Sequence, residues 1–309
     1  MKEQESSPTP AAGGIRRKIK INPTPYFFLA PSLIILCVFT VYPILQAVRL
    51  SFLDYNFVNP DQSEYIGLEN FKELFASDRY FWPSLGQTVY YSFGSLIPAL
   101  LLSLVISLII TESWFAMQKA MRVFYFLPVI LSITIAGLIF SWIYNPDFGV
   151  LNYALSLVGL EPQSWLGNPK LAMVSIIMMV IWKTLGYNIT VWSAGLLAMP
   201  GAVREAAKID GANYWRELYH IRLPLMKPII MFLMILGLIG AFQSFDAIYV
   251  MTQGGPMHKT QVVGYYIWQA AFRDMRIGYA SSISWVLFVI LIGFTMLQFR
   301  WLGREEDSP

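Results

Sequence analysis

The chain is poor in the residues from which most active sites are made. Cysteine occurs once in 309 residues, at Cys37, and histidine twice, at His220 and His258. A single cysteine excludes an intrachain disulfide, and no Cys/His metal spacing or H-E-x-x-H pair is present. The phosphate-cradling G-x-x-x-x-G-K-[ST] loop is also missing, so this chain is not expected to bind ATP, and no G-x-S-x-G elbow marks a hydrolase. Charge is scarce too: 13% of residues are Asp, Glu, Lys or Arg, against roughly 25% in soluble domains.

What fills the space is apolar, with 56% hydrophobic residues and a mean hydropathy of +0.52. A spanning helix needs about 20 predominantly apolar residues. Six stretches qualify, at 26–50, 84–111, 123–144, 172–199, 228–250 and 280–300. They predict an all-α membrane protein with a polar tail over 1–25, a six-helix membrane domain over 26–302 and a short tail over 303–309. The connections of about 11 to 33 residues leave no room for a separate soluble domain. The first apolar run is too long and too late for a cleaved signal peptide, so it is expected to stay as the first span.

The placement of charge sets the orientation. With both termini in the cytoplasm, segments 1–25, 112–122, 200–227 and 301–309 hold 13 of the 22 Lys and Arg residues. The external segments 51–83, 145–171 and 251–279 hold six, so the asymmetry fits the positive-inside rule. His220 and His258 then fall on opposite sides and cannot share a site. The N-I-T sequon at 188–190 lies inside the fourth span and is set aside.

Pro31, Pro43, Pro98 and Pro128 lie within apolar runs, which predicts kinked and closely packed spans. Outside the spans, 64–85 reads as a turn and a short amphipathic helix with Phe71, Leu74 and Phe75 on one face. The 144–169 loop is rich in turn residues and aromatics and is expected on the outer membrane surface.

One charged cassette interrupts the oily pattern. Between Arg204 and Pro224, Ala202, Ala206 and Ile209 share a helical stripe with Glu205 and Lys208 beside it. Gly211 is a natural stop after Asp210, and Trp215, Leu218, Tyr219 and Arg222 start a second helix that Pro224 should break. Small alanines on an exposed face allow a partner to approach closely, and Glu205 offers it a charge. Lipid contact by an amphipathic surface helix is the alternative.

"EAAKIDGANYWRELYHIRLPLMKP" (205–228) closely resembles the EAA motif of permease subunits in bacterial binding-protein-dependent ABC importers. Glu205, Ala206, Ala207, Gly211, Ala212, Ile221, Leu223 and Pro224 meet its fixed positions, and Asp210 is the residue usual there in the sugar branch. "APSLIILCVFTVYPILQAVRLSF" (30–52), "GLENF" (67–71), "PDFGVLN" (146–152) and "FQSFDAIYVMTQGGP" (242–256) are similar to landmarks of the carbohydrate-uptake branch. The resemblance implies the type I importer permease fold, with six spans and a cytoplasmic coupling helix over 203–224. It implies a second homologous permease as heterodimer partner and two copies of a cytoplasmic ATPase that carries ATP and Mg. An extracellular solute-binding protein, a carbohydrate solute and a multi-pass location in the bacterial cytoplasmic membrane complete the expectation, and no nucleic acid is implied.

Sugars are held by aromatic faces and by amides and hydroxyls. The fourth span offers Trp182, Tyr187 and Asn188, and the fifth offers Gln243 and Ser244. In the resembling maltose permeases, the positions of Trp182, Tyr187, Gln243 and Ser244 lie in cavity-lining stretches. Tyr90, Tyr91 and Trp285 are weaker candidates. Lys183 should lie about 18 Å and Asp246 about 6 Å below the outer span ends, too far apart in depth for a direct pair unless a helix is broken. Asp246 is still counted with the pathway residues. No arginine lies deep in a span, which favours an uncharged sugar over glycerol-3-phosphate or its diesters. A membrane-embedded enzyme or receptor is the other class, and it would need catalytic groups that are not found.

Overall fold

A computed structural model describes residues 24–111 and 118–302. The predicted tails before Thr24 and after Leu302, and residues 112–117 of the second cytoplasmic connection, lie outside the described residues. The described residues divide into two units, the first ending at Gln46 and the second beginning at Ala47.

The first span runs as α1 (Thr24–Leu36), a wide π turn (Cys37–Val41) and α2 (Tyr42–Leu50). The Tyr42 amide bonds to the Cys37 carbonyl five residues back. The wide turn ends two residues before Pro43, whose ring would clash with the carbonyl four residues earlier in a regular helix.

The fold is helical as expected, and its one described sheet is a two-residue antiparallel pair in the first predicted external segment, β1 (Leu53–Asp54) with β2 (Glu64–Tyr65). Next comes the short predicted helix, α3 (Glu69–Lys72), extended by a π turn to Ser77. Of its three predicted apolar positions only Leu74 is fully buried, while Phe75 is exposed and its ring meets Phe81 and Trp82.

The second span, α4 (Phe81–Thr111), carries a ladder of small residues, all but Ala99 bearing a hydroxyl, that hydropathy alone does not show. Ser84, Thr88, Ser92, Ser95, Ala99, Ser103 and Ser107 recur every three or four residues and are buried. Small side chains let helices approach closely in lipid, and hydroxyls bond across the contact. α8 (Ala172–Ala198) packs here: Trp192 Nε1 donates to Ser103 Oγ at 3.1 Å, and Ser107 Oγ donates to the Ile189 carbonyl at 3.2 Å.

The run at 123–144 is not one straight span. α5 (Gln118–Ile130) and α6 (Ile133–Ile143) meet at 113°, and α7 (Val150–Leu157) follows. Ser132 caps α6, its Oγ accepting from the Ile135 amide at 3.2 Å.

Past α8, the cassette forms α9 (Gly201–Ile209), α10 (Tyr214–Glu217), a π turn (Leu218–Arg222) and α11 (Leu223–Leu225). Pro224 does not break it. As before Pro43, the wide turn ends two residues earlier, and the bend falls at Met226, 64° to α12 (Lys227–Phe242). The fifth span also stops short: α12 ends at Phe242 and α13 (Asp246–Met251) restarts after Gln243–Phe245. α14 (Val263–Trp268) and α15 (Ile277–Leu302) complete the chain. Among the described residues, four helices are long and apolar enough to cross a membrane unaided, and the two bent pairs make six.

Three apolar clusters hold these elements together. One joins α4, α12, α14 and α15 around Phe242 and Ile283. A second joins α6, α8 and α13 around Ile176, Met179 and Ile248. The third, with Leu108, Trp192, Leu218, Met226 and Leu233, fastens the cassette to α4, α8 and α12.

Gly186 is where α5 meets α8, since an added Cβ would lie 1.9 Å from the Tyr125 carbonyl oxygen. Gly186→Ala should therefore cost about 1–3 kcal/mol through overpacking. Thermal unfolding in detergent should show a clear drop in Tm against Gly293→Ala, whose Cβ would meet nothing within 4 Å. Equal melting of the two variants would mean that α5 does not depend on this approach.

Candidate functional site

α4, α8 and the two broken spans surround a cavity of about 560 Å³, within the usual range for small-molecule sites. α8 contributes Lys183, Thr184, Tyr187 and Asn188 to its wall. These positions repeat at three and four residues, so they share one face of the helix. Trp182 is about 100° off that face. It does not join the cavity wall but packs in the second cluster, its ring 5.1 Å from Phe140.

The opposite wall is the break in the fifth span, where Gln243, Ser244, Phe245 and Asp246 line the cavity. The sequence places the first two correctly on this span but does not reveal that the helix stops there. The break is tightly seated. Ser244 Oγ donates to the Tyr91 hydroxyl at 2.9 Å, and a Cβ on Gly264 would lie 2.5 Å from the Ser244 carbonyl oxygen. Tyr91 and Ser95 bring the α4 ladder onto the same wall. Tyr90 is exposed, and Trp285 lines a separate apolar groove with Phe71 and Trp82. Lys183 and Asp246 share the cavity, and the Lys183 ammonium donates to the Val129 carbonyl at 3.1 Å.

Phe245 links the cavity to a cap of rings. It stacks on Tyr249 at 5.1 Å and on Tyr265 at 6.3 Å, and Trp268 lies 5.6 Å away. α14 carries two of these rings and is pinned to the start of α4 by polar contacts. The Val263 amide donates to Thr88 Oγ1 at 2.8 Å, and the Tyr266 hydroxyl donates to Asp78 Oδ2 at 2.6 Å. Tyr279 donates to the same carboxylate oxygen, while Oδ1 accepts from the Tyr80 and Phe81 amides. Burial works against ionisation of Asp78, but these four donors hold it below the usual carboxylate range. Arg276 adds a two-pronged pair with Glu73 at 2.8 and 2.5 Å.

The cassette is locked by a network the motif does not disclose. Glu217 Oε1 accepts from Arg204 Nε at 2.9 Å and from Arg222 Nε at 2.8 Å. The Glu217 and Arg222 side chains are only 5% and 4% exposed, and the Arg222 guanidinium lies over the Tyr214 ring. Glu217 thus ties α9 to the second half of the cassette across the bend at Gly211, where φ is +76°. Asn213 caps α10. Ala207 faces inward, whereas Ala202, Glu205, Ala206, Asp210 and Gly211 are exposed and Ile209 is 85% exposed. Ala212, at the bend, is half-buried; Leu223 is half-buried in the third cluster and Pro224 is exposed.

Burial alone would raise the Glu217 carboxyl, but the hydrogen bonds and charges of Arg222 and Arg204 hold it below its ordinary value of 4.5. A carboxyl that titrates lower in the folded state stabilises fully above the unfolded value and loses that contribution as pH falls through the folded one. Breaking a buried pair costs about 3–5 kcal/mol. Glu217→Gln should thus lower Tm at neutral pH, with the gap to wild type closing as pH drops below 4.5. A gap independent of pH down to the point of acid unfolding would contradict the ionised network.

Comparison with known proteins agrees with this architecture. Residues 74–303 match the family described as binding-protein-dependent transport system inner membrane component. The sulfoquinovosyl glycerol transport system permease protein of Agrobacterium fabrum is 35% identical over 278 residues, covering 90% of each chain. A probable ABC transporter permease protein of Bacillus subtilis is 33% identical, covering 91% of this chain and 97% of its own. The lactose transport system permease protein of Rhizobium radiobacter is 30% identical, covering 96% and 99%. A bacterial ABC transporter that imports the acidic polysaccharide alginate matches with a TM-score of 0.81 over 92% of this chain and 96% of that one. Its 24% identity makes this a likeness of fold. The long cavity-bearing bundle, the EAA cassette and these matches lead to one conclusion: the chain is an inner-membrane permease subunit of a binding-protein-dependent ABC importer, a transport component and not an enzyme.

Proposed function

We propose that this subunit passes a carbohydrate across the membrane through the cavity between its broken third and fifth spans, driven by an ATPase on a separate chain. The observation that carries the reading is the cavity wall. Tyr187 supplies a ring, and Asn188, Gln243 and Ser244 supply amides and hydroxyls suited to a polyol. The relatives' names point the same way, since they are permeases for sulfoquinovosyl glycerol, arabinooligosaccharides and lactose. Asp246 opens α13 just past the break and adds one acceptor to the wall.

The exposed face of α9, with Glu205, Ala206, Asp210 and Gly211, is the surface offered to the ATPase, which holds ATP and Mg. The bend at Gly211 and the third apolar cluster connect that surface to α4, α8 and α12. A push on the cassette is thereby delivered to the helices that wall the cavity. A second homologous permease supplies the other half of the pathway, with both termini of this chain in the cytoplasm and the solute-binding protein on the opposite side.

Reconstitution with the ATPase, sister permease and binding protein tests both halves of the proposal. Glu205→Lys reverses the docking charge and should abolish solute-stimulated ATP hydrolysis while leaving membrane insertion intact. Tyr187→Ala and Gln243→Ala should keep assembly but lower uptake at limiting solute about 2- to 12-fold, the loss of one ring contact or hydrogen bond. Wild-type stimulation in Glu205→Lys would refute the coupling surface. Wild-type uptake in both cavity variants would put the solute path on the sister subunit.

A further inference from the structure

The third span is broken at a point where lipid should forbid it. In an unbroken helix the Val129 carbonyl would accept from the amide of Ile133, but the bend at Leu131–Ser132 removes that partner. Within a bilayer an unsatisfied backbone carbonyl is strongly unfavourable. Two side chains meet this need from opposite sides. Ser132 caps the new helix through the Ile135 amide, and the Lys183 ammonium donates to the orphaned Val129 carbonyl at 3.1 Å. A cation at a helix C-terminus is also favoured by the helix dipole.

The geometry around Lys183 is specific. Gly186, three residues further along the same face of α8, receives the Tyr125 carbonyl, which lies one turn before Val129 on α5. Lys183 and Gly186 therefore form a strip that seats the last turn of α5. Val129 and Ile133, one on each side of the break, line the cavity together with Lys183. The ammonium is thus fixed to the scaffold at the point where the wall turns.

We infer that Lys183 is a positioning residue for transport: by capping α5 at the break it holds the bent third span open against the cavity. This role needs no charge on the solute. It explains how a lysine can stand in the wall of a site whose other groups suit an uncharged polyol.

Hydrogen exchange on the assembled importer, without solute, tests the inference directly. In Lys183→Met, which keeps the stem and removes the donor, the segment 129–136 should exchange about tenfold faster, and Lys183→Arg should restore the wild-type rate. Unchanged exchange in Lys183→Met would overturn the inference. If Lys183→Met fails to assemble, Lys183→Arg decides: wild-type exchange supports the cap, and fast exchange overturns it. The maximal rate of binding-protein-stimulated ATP hydrolysis should fall in Lys183→Met and recover in Lys183→Arg, with KM for ATP unchanged. Equal loss of rate in both variants would also overturn it. The hydrolysis assay rests on the proposed ATPase coupling, whereas the exchange assay does not, so the two can fail separately.

Discussion

A helix can stop inside a bilayer only if the protein itself satisfies the backbone groups it releases. That constraint governs the cavity. The third span stops at Ile130, where Ser132 and Lys183 bond the loose ends, and the fifth stops at Phe242, where Tyr91 and Gly264 seat Ser244. Both stops need α4 and α8 as a firm frame, and the ladder of serines and threonines on α4 provides it. Thr88, Tyr91 and Ser103 on that one helix bond α14, the fifth-span break and α8 respectively. Wide helical turns solve the gentler problem of Pro43 and Pro224 without ending the helix.

The cassette obeys the same logic in a more polar setting. Glu217 holds two arginines at one oxygen, so the halves on either side of Gly211 behave as a single body. Leu218 and Met226 anchor that body to the ends of the spans. What remains exposed is a small-residue face with two acidic side chains, Glu205 and Asp210, a shape suited to a close-fitting partner. Rigidity matters for the proposed coupling role, since a flexible loop would absorb a displacement instead of passing it on.

Much of this was legible in the residues. Apolar runs place the spans to within a few residues, and the glycine after Asp210 marks the bend, because both signals are local. Tyr187, Asn188, Gln243 and Ser244 have side-chain types that suit a sugar, and all four line the cavity. What hydropathy cannot report is a break, since averaged over a span the few polar residues at Ser132 and at Gln243, Ser244 and Asp246 are outweighed by the apolar runs around them. Trp182 shows a related limit: one residue along a helix changes the face, and neither its ring nor the resemblance to maltose permeases reports that it packs in the second cluster and not in the cavity wall. The Glu217 network was hidden because an acidic residue in a charged stretch reads as solvated until burial is known. The ladder on α4 was visible as spacing, but small hydroxyls within an apolar run were read only as part of the run.

The central claim is the proposal that the space between the broken spans is the solute path, and a path driven by ATP in one direction must open to one side at a time. The most direct test places a cysteine at Tyr187 in a Cys37→Ala background, with cysteine-free partner chains, and labels it with a membrane-impermeant thiol reagent. In vesicles of both orientations, labelling should come from one side in the resting importer and from the other when nucleotide is trapped on the ATPase. Labelling from the same side in both states, or from neither, would contradict the account.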